Sequence, residues 1–208
     1  MIEAPAPPQE TTTSNHLVVR FRPLYAMTPD EFYQFTQQNP DLKVELTAEG
    51  EVVFMSPSGG ATGARNMHVT GPLWQWVKQN GQGIGFDSSA GFTLPSGAVR
   101  APDASWVRRD RLDELIPDQK ERFLPLCPDF VVEIASPSDR LSDLKAKMEE
   151  YIANGAQLGW LIVPESRAVY VYRPGQQAEL LNKAKSIAGD PVLPGFKLDL
   201  RPIWNPGF

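Results

Sequence analysis

One cysteine, Cys127, is all that the 208 residues contain, so an internal disulfide framework and a thiolate cluster for zinc or iron–sulfur are both excluded. That scarcity points to a reducing, cytoplasmic setting. Long apolar runs are missing as well. None approaches the roughly 18 residues needed to cross a bilayer, and the longest, Phe130–Ala135 and Gly159–Val163, have the length of strands. No membrane association is expected. The opening stretch, MIEAPAPPQETTTSNH, lacks both a basic and an apolar region and does not read as a secretory signal. Residues 1–20 are expected to form a disordered tail and 21–208 a single domain. There is also no excess of positive charge: 20 Lys+Arg against 25 Asp+Glu give a net charge of −5, so any contact with nucleic acid has to be local.

What is present is ordinary for a globular domain. Apolar residues make up 41% and charged residues 22%, enough to bury a real core in one unit. Thr28-Pro29-Asp30-Glu31 places a cap, a proline at the first helical position and acids in the first turn, predicting a helix over about 29–38. Asp41–Leu46 and Glu51–Met55 read as a hairpin about Thr47-Ala48-Glu49-Gly50. Val69, Leu73, Trp76 and Val77 recur at helical spacing, predicting a helix over about 62–79 that stops at Asn80-Gly81. Gly83–Asp87, Gly91–Leu94 and Val99–Val107 are strand candidates that resemble a meander. Residues 108–126 are charged and irregular, with room for a short helix. Phe130–Ala135 has the composition of a central strand covered on both faces. A helix over about 140–154 follows, then strands at Gly159–Val163 and Ala168–Tyr172 and edge pieces at Glu179–Leu181 and Phe196–Leu200. No internal repeat or long linker interrupts this order, which argues for an α/β domain (α+β by some conventions) with a mixed sheet.

Two acids stand out against this background. Glu133 interrupts the apolar run Phe130–Ala135, and an unpaired carboxylate in such a setting costs several kcal/mol. It calls for a cation, a metal or dense hydrogen bonding, and a structural ion pair or a solvent-open edge would also satisfy it. Alternation puts Glu133 on one face with Asp129, Val131 and Ala135. Asp103, in Arg100-Ala101-Pro102-Asp103, shares its face with the smaller Ala101, Ser105 and Val107, unless Pro102-Asp103 only marks a strand entry. Two strand-borne acids on a common face would make the hard oxygen site that magnesium or manganese prefers. The helix after Glu133 offers a cation at either edge of its buried arc, Lys145 or Lys147, and geometry alone does not choose between them.

Gly91-Phe92-Thr93-Leu94-Pro95, Arg100-Ala101-Pro102-Asp103, Pro128–Ile134 and Ser136-Pro137-Ser138-Asp139-Arg140 resemble, in order, motifs of the Uma-two family of restriction-type endonucleases. So do Asp143–Tyr151, Gly159–Pro164 and Val169–Pro174, and the resemblance runs from about residue 28 to the end. It implies a restriction-endonuclease-like fold of the PD-(D/E)XK superfamily, and a DNA endonuclease that uses Mg²⁺ or Mn²⁺. Asp103 and Glu133 would be its catalytic, metal-holding acids. Position 135, where the motif lysine is expected, is Ala; the family resemblance transfers that role to Lys147 on the following helix. Glu45, in Val44-Glu45-Leu46, matches an acid of the family's first hairpin and would complete the acidic shell. Where many members carry a histidine, this chain has Asn66, and His68 lies about 200° further around the helix. Residues 100–122 hold six basic and six acidic side chains, so no phosphate-tracking platform stands out. A non-catalytic binding or scaffold protein of the same fold, or a hydrolase of RNA or another phosphate ester, are the alternatives. Trp204 and Phe208 are candidates for a homodimer contact or for the core.

Overall fold

The computed structural model describes residues 17–20, 25–55 and 58–207. The chain begins with β1 (Leu17–Val19), α1 (Pro29–Gln38), β2 (Val44–Leu46), β3 (Val52–Phe54) and α2 (Gly60–Asn80). Thr28 starts α1 as its sequence predicts: its N–H donates to the Glu31 carboxylate at 2.8 Å and its Oγ1 accepts from Glu31 N–H at 3.3 Å, closing a capping box behind Pro29. Gly81, at φ 63°, ends α2 in the left-handed conformation that suits glycine. Leu17–Val19, expected within the tail, instead pairs antiparallel with β3. Residues 1–16 of that tail lie outside the described residues.

Next come β4 (Gly83–Asp87), β5 (Phe92–Thr93), β6 (Val99–Arg100), β7 (Ala104–Arg108), α3 (Arg109–Asp113), α4 (Pro117–Lys120) and β8 (Phe130–Ile134). The expected meander does not form. β5 and β6 join β1, β2 and β3 in a five-stranded sheet, order β1-β3-β2-β6-β5, whereas β4 pairs directly with β7 in a second sheet. Val99–Val107 is therefore two strands. Pro102 lacks the N–H a continuous ladder would need, and the chain changes sheets there.

The remaining elements are α5 (Leu141–Ala153), β9 (Leu158–Val163), β10 (Ala168–Tyr172), β11 (Glu179–Asn182), β12 (Ser186–Ala188), β13 (Lys197–Asp199) and α6 (Arg201–Trp204). The second sheet has six strands in the order β11-β10-β9-β8-β7-β4. β8 and β9 run parallel and are joined through α5; the other pairs are antiparallel. This crossover places α5 against the sheet. One face packs Phe130, Val132, Trp160 and Ile162 against Val69, Leu73 and Trp76 of α2 and against the C-terminal segment. The other packs Val107, Val131 and Leu161 against Met148 and Tyr151 of α5. Every residue of β8 is buried, Glu133 included, in line with the central strand read from its composition. Trp204 packs against the first core and donates its Nε1–H to Ala184 O at 2.8 Å; Phe208 lies outside the described residues.

Candidate active site

Asp103 sits where the chain leaves the small sheet and enters β7, and β7 lies beside β8 with Ala104 opposite Val132. One residue further along that register Asp103 stands across from Glu133, and directly opposed residues of an antiparallel pair share a face. The neighbouring strands that a common carboxylate site requires are thus present. Asp103 is held at both oxygens: Oδ2 accepts Ile134 N–H at 2.8 Å and Oδ1 accepts Asn66 Nδ2–H at 3.1 Å. Asn66 reaches it from α2. His68 does not line the cavity.

Lys147 is brought to Glu133 by the α5 crossover, with Nζ 2.8 Å from Glu133 Oε1 and 2.9 Å from Glu45 Oε1. Lys145 points elsewhere, over the Tyr170 ring at 4.2 Å. One helical turn after Lys147, the buried Tyr151 hydroxyl also donates to Glu133 Oε1 at 3.0 Å. Glu133 Oε1 is therefore doubly bonded, while Oε2 takes no hydrogen bond among the described residues.

Glu45 faces two cations. Its Oε1 accepts Ala101 N–H at 2.9 Å as well as Lys147, and its Oε2 accepts Arg100 at 3.2 Å. Arg100 in turn donates its Nε–H to Glu150 at 2.6 Å. Among the described residues no three His, Cys, Asp or Glu side chains are grouped to hold a metal ion. Arg100, Glu150 and Tyr151 complete the cluster; sequence reasoning gave none of them a role in the site. Arg100 stood inside a quoted motif, three residues before Asp103, and a cation flanking a strand-borne acid was the signal available. Glu150 and Tyr151 likewise close the Asp143–Tyr151 motif.

Burial is the largest influence on these groups. It pushes Glu133 up to about 7 against the pull of Lys147, with Asp103 and Glu45 adding repulsion. It also raises Asp103, partly offset by the Ile134 N–H, Lys147 and Asn66. Glu45 goes the other way: burial opposes ionisation, but Lys147 and Arg100 together hold its carboxyl below the usual range. Lys147, flanked by Glu133 and Glu45, is held protonated despite its burial.

A cavity of about 700 Å³ opens over this cluster, walled by the small sheet, the start of α2 and the β8–α5 connection. Asp103 and Glu133 both line it. Two opposed carboxylates with spare lone pairs and raised proton affinity fit Mg²⁺ or Mn²⁺, ions that take one or two carboxylates and complete their shell with water and phosphate oxygens. The charged stretch 100–122 offers no comparable surface. Arg108 pairs with Asp110, Arg111 with Asp129 and Arg122 with Asp30, so these three arginines are neutralised locally.

The fold is similar to that of a solved structure from Anabaena variabilis ATCC 29413, titled a putative nuclease belonging to DUF820. The TM-score is 0.72 at 22% identity, over 86% of this chain and 97% of that one. No curated protein matches the chain in sequence. Among the described residues no helix is long and apolar enough to cross a membrane. The family described as "Uma2: Putative restriction endonuclease" matches residues 29–201, which is most of the sequence, and the chain belongs to that family.

Proposed function

We propose that the protein is a divalent-metal-dependent endonuclease that hydrolyses DNA phosphodiester bonds, with its acids arranged on the PD-(D/E)XK plan. The observation that carries this reading is the pair Asp103 and Glu133, opposed on neighbouring strands at a cavity, both with raised proton affinity. Like charges buried together are costly unless a cation joins them. A bound Mg²⁺ or Mn²⁺ ion would polarise the scissile phosphate and acidify the attacking water.

The chain's own groups have separate tasks. Asp103 is fixed by Ile134 N–H and Asn66. Lys147 and Tyr151 hold Glu133 by Oε1, leaving Oε2 for the ion. Lys147, kept protonated, orients the water or neutralises charge developing on the phosphorus oxygens. Glu45 anchors Lys147 and Arg100. The competing reading, a non-catalytic protein in which Glu133 and Lys147 form a structural ion pair, draws on the same 2.8 Å contact.

Incubation of purified protein with supercoiled plasmid separates the two. Nicking or linearisation is expected with Mg²⁺ or Mn²⁺ and none in EDTA; cleavage that persists in EDTA would overturn the mechanism. Lysine substitutions sharpen the assignment. Lys147→Ala should lower turnover by about 10²-fold or more, whereas Lys145→Ala, which loses only a contact with Tyr170, should stay near wild type. The reverse ranking would remove Lys147 from the chemistry.

A further inference from the structure

Among the described residues four cationic side chains line the cavity: Arg65, Arg100, Arg140 and Lys147. Two of them are accounted for, since Arg100 is held by Glu45 and Glu150, and Lys147 by Glu45 and Glu133. Arg65 and Arg140 have no carboxylate at ion-pair distance among the described residues. Arg65 is steadied from α2 by donating its Nε–H to Ile203 O at 3.1 Å. Arg140, at the start of α5, is the more telling. Its Nη2 is shielded from solvent and makes no hydrogen bond, and an unmet buried donor costs free energy until an acceptor arrives. Two acids share this wall: Asp139 accepts Ser136 N–H at 2.7 Å and Asp143 accepts Ser142 Oγ–H at 3.1 Å. Both helices also begin without a side-chain cap hydrogen bond.

We infer that Arg140 and Arg65 form a phosphate-holding pair on the cavity wall, where they bind backbone phosphates of the substrate beside the Asp103–Glu133 pair. A guanidinium fork matches the two non-bridging oxygens of a phosphodiester. The inference rests on the nuclease reading and names the groups that hold the substrate, as distinct from those that cut it.

Binding of a fluorescent DNA oligonucleotide, duplex and single-stranded, in Ca²⁺ tests it across a range of salt concentrations. Arg140→Gln and Arg65→Gln are each expected to weaken binding about tenfold and to reduce the slope of log affinity against log salt by about 1, the signature of one lost phosphate contact. In Mg²⁺ they should raise KM more than they lower kcat. Arg140→Lys keeps the charge without the fork and should fall between wild type and Arg140→Gln; its melting temperature guards against a folding artefact. Arg173→Gln, outside the cavity and paired with Glu179, should match wild type. If wild type binds and cuts DNA while Arg140→Gln and Arg65→Gln keep its affinity and salt slope, the inference fails and the nuclease reading stands. If wild type neither binds nor cuts any of these DNAs, both fail.

Discussion

Glu133→Gln and Asp103→Asn will each lower metal-dependent cleavage by about 10³-fold or more while leaving the protein folded. Both changes preserve size, so no cavity opens; in Glu133→Gln the side-chain carbonyl can still accept from Lys147 and Tyr151, which both bond Oε1, whereas Asp103→Asn keeps one acceptor for either Ile134 N–H or Asn66. What is lost is one of the two opposed carboxylates of the Asp103–Glu133 pair at the cavity. The same variants should change the thermal response to metal without any substrate. A ligand that binds only the native state at a hundredfold excess over Kd stabilises by about 2.7 kcal/mol, so Mn²⁺ should raise the wild-type Tm by several degrees. Each variant should lose most of that gain. Equal responses in wild type and Glu133→Gln would remove Glu133 from the ligand set.

The two buried glutamates of the cluster should respond to neutralisation with opposite signs. Glu133 has a folded pKa near 7 against an ordinary 4.5, so the native state binds the extra proton, and the stability it contributes is lost as pH rises from about 4.5 through 7. Glu133→Gln should therefore match wild type near pH 5 and exceed it at pH 8 by about 3 kcal/mol, roughly 6–12 °C in Tm. Glu45 is held in its charged form by Lys147 and Arg100, so its contribution is present above its unfolded pKa and lost only as pH falls through the lower folded value. Glu45→Gln removes the partner of two buried cations and should cost about 3 kcal/mol at pH 8. Melting curves of the apo proteins at pH 5 and pH 8 test both expectations. A destabilised Glu133→Gln at pH 8 would mark Glu133 and Lys147 as a structural ion pair.

Features written into a few adjacent residues were legible in the sequence. Thr28 through Glu31 specify the start of α1 completely, and Phe130–Ile134 announces a buried strand with one acid that needs a reason. Partner choice between strands was not legible. Nothing in the alternation of Gly91–Val107 distinguishes a meander from a chain that sends β5 and β6 to one sheet and β4 and β7 to another, because that decision lies in hydrogen bonds to distant strands. Ser186–Ala188 and Arg201–Trp204 are too short to show a period. Leu17–Val19 was absorbed into a polar neighbourhood although its β-branched run suits an edge. In the cluster, the acids and Lys147 carried motif signals. Glu150 and Tyr151 take their places through the docking of α5, which no local pattern encodes.

The crossing between sheets at Ala101-Pro102-Asp103 also bears on when the centre comes into being. Its parts are drawn from β2, α2, the β6–β7 link, β8 and α5, and the Glu45–Lys147 contact spans 102 positions of sequence. Closing such separations requires that most of the chain's conformational entropy already be lost. A nascent chain that has emerged only as far as β8 holds Asp103 and Glu133 but not the ammonium between them and Glu45. On the proposed reading, a nuclease assembled this way would stay inert during synthesis and partial unfolding, and would become competent only when these elements have closed together.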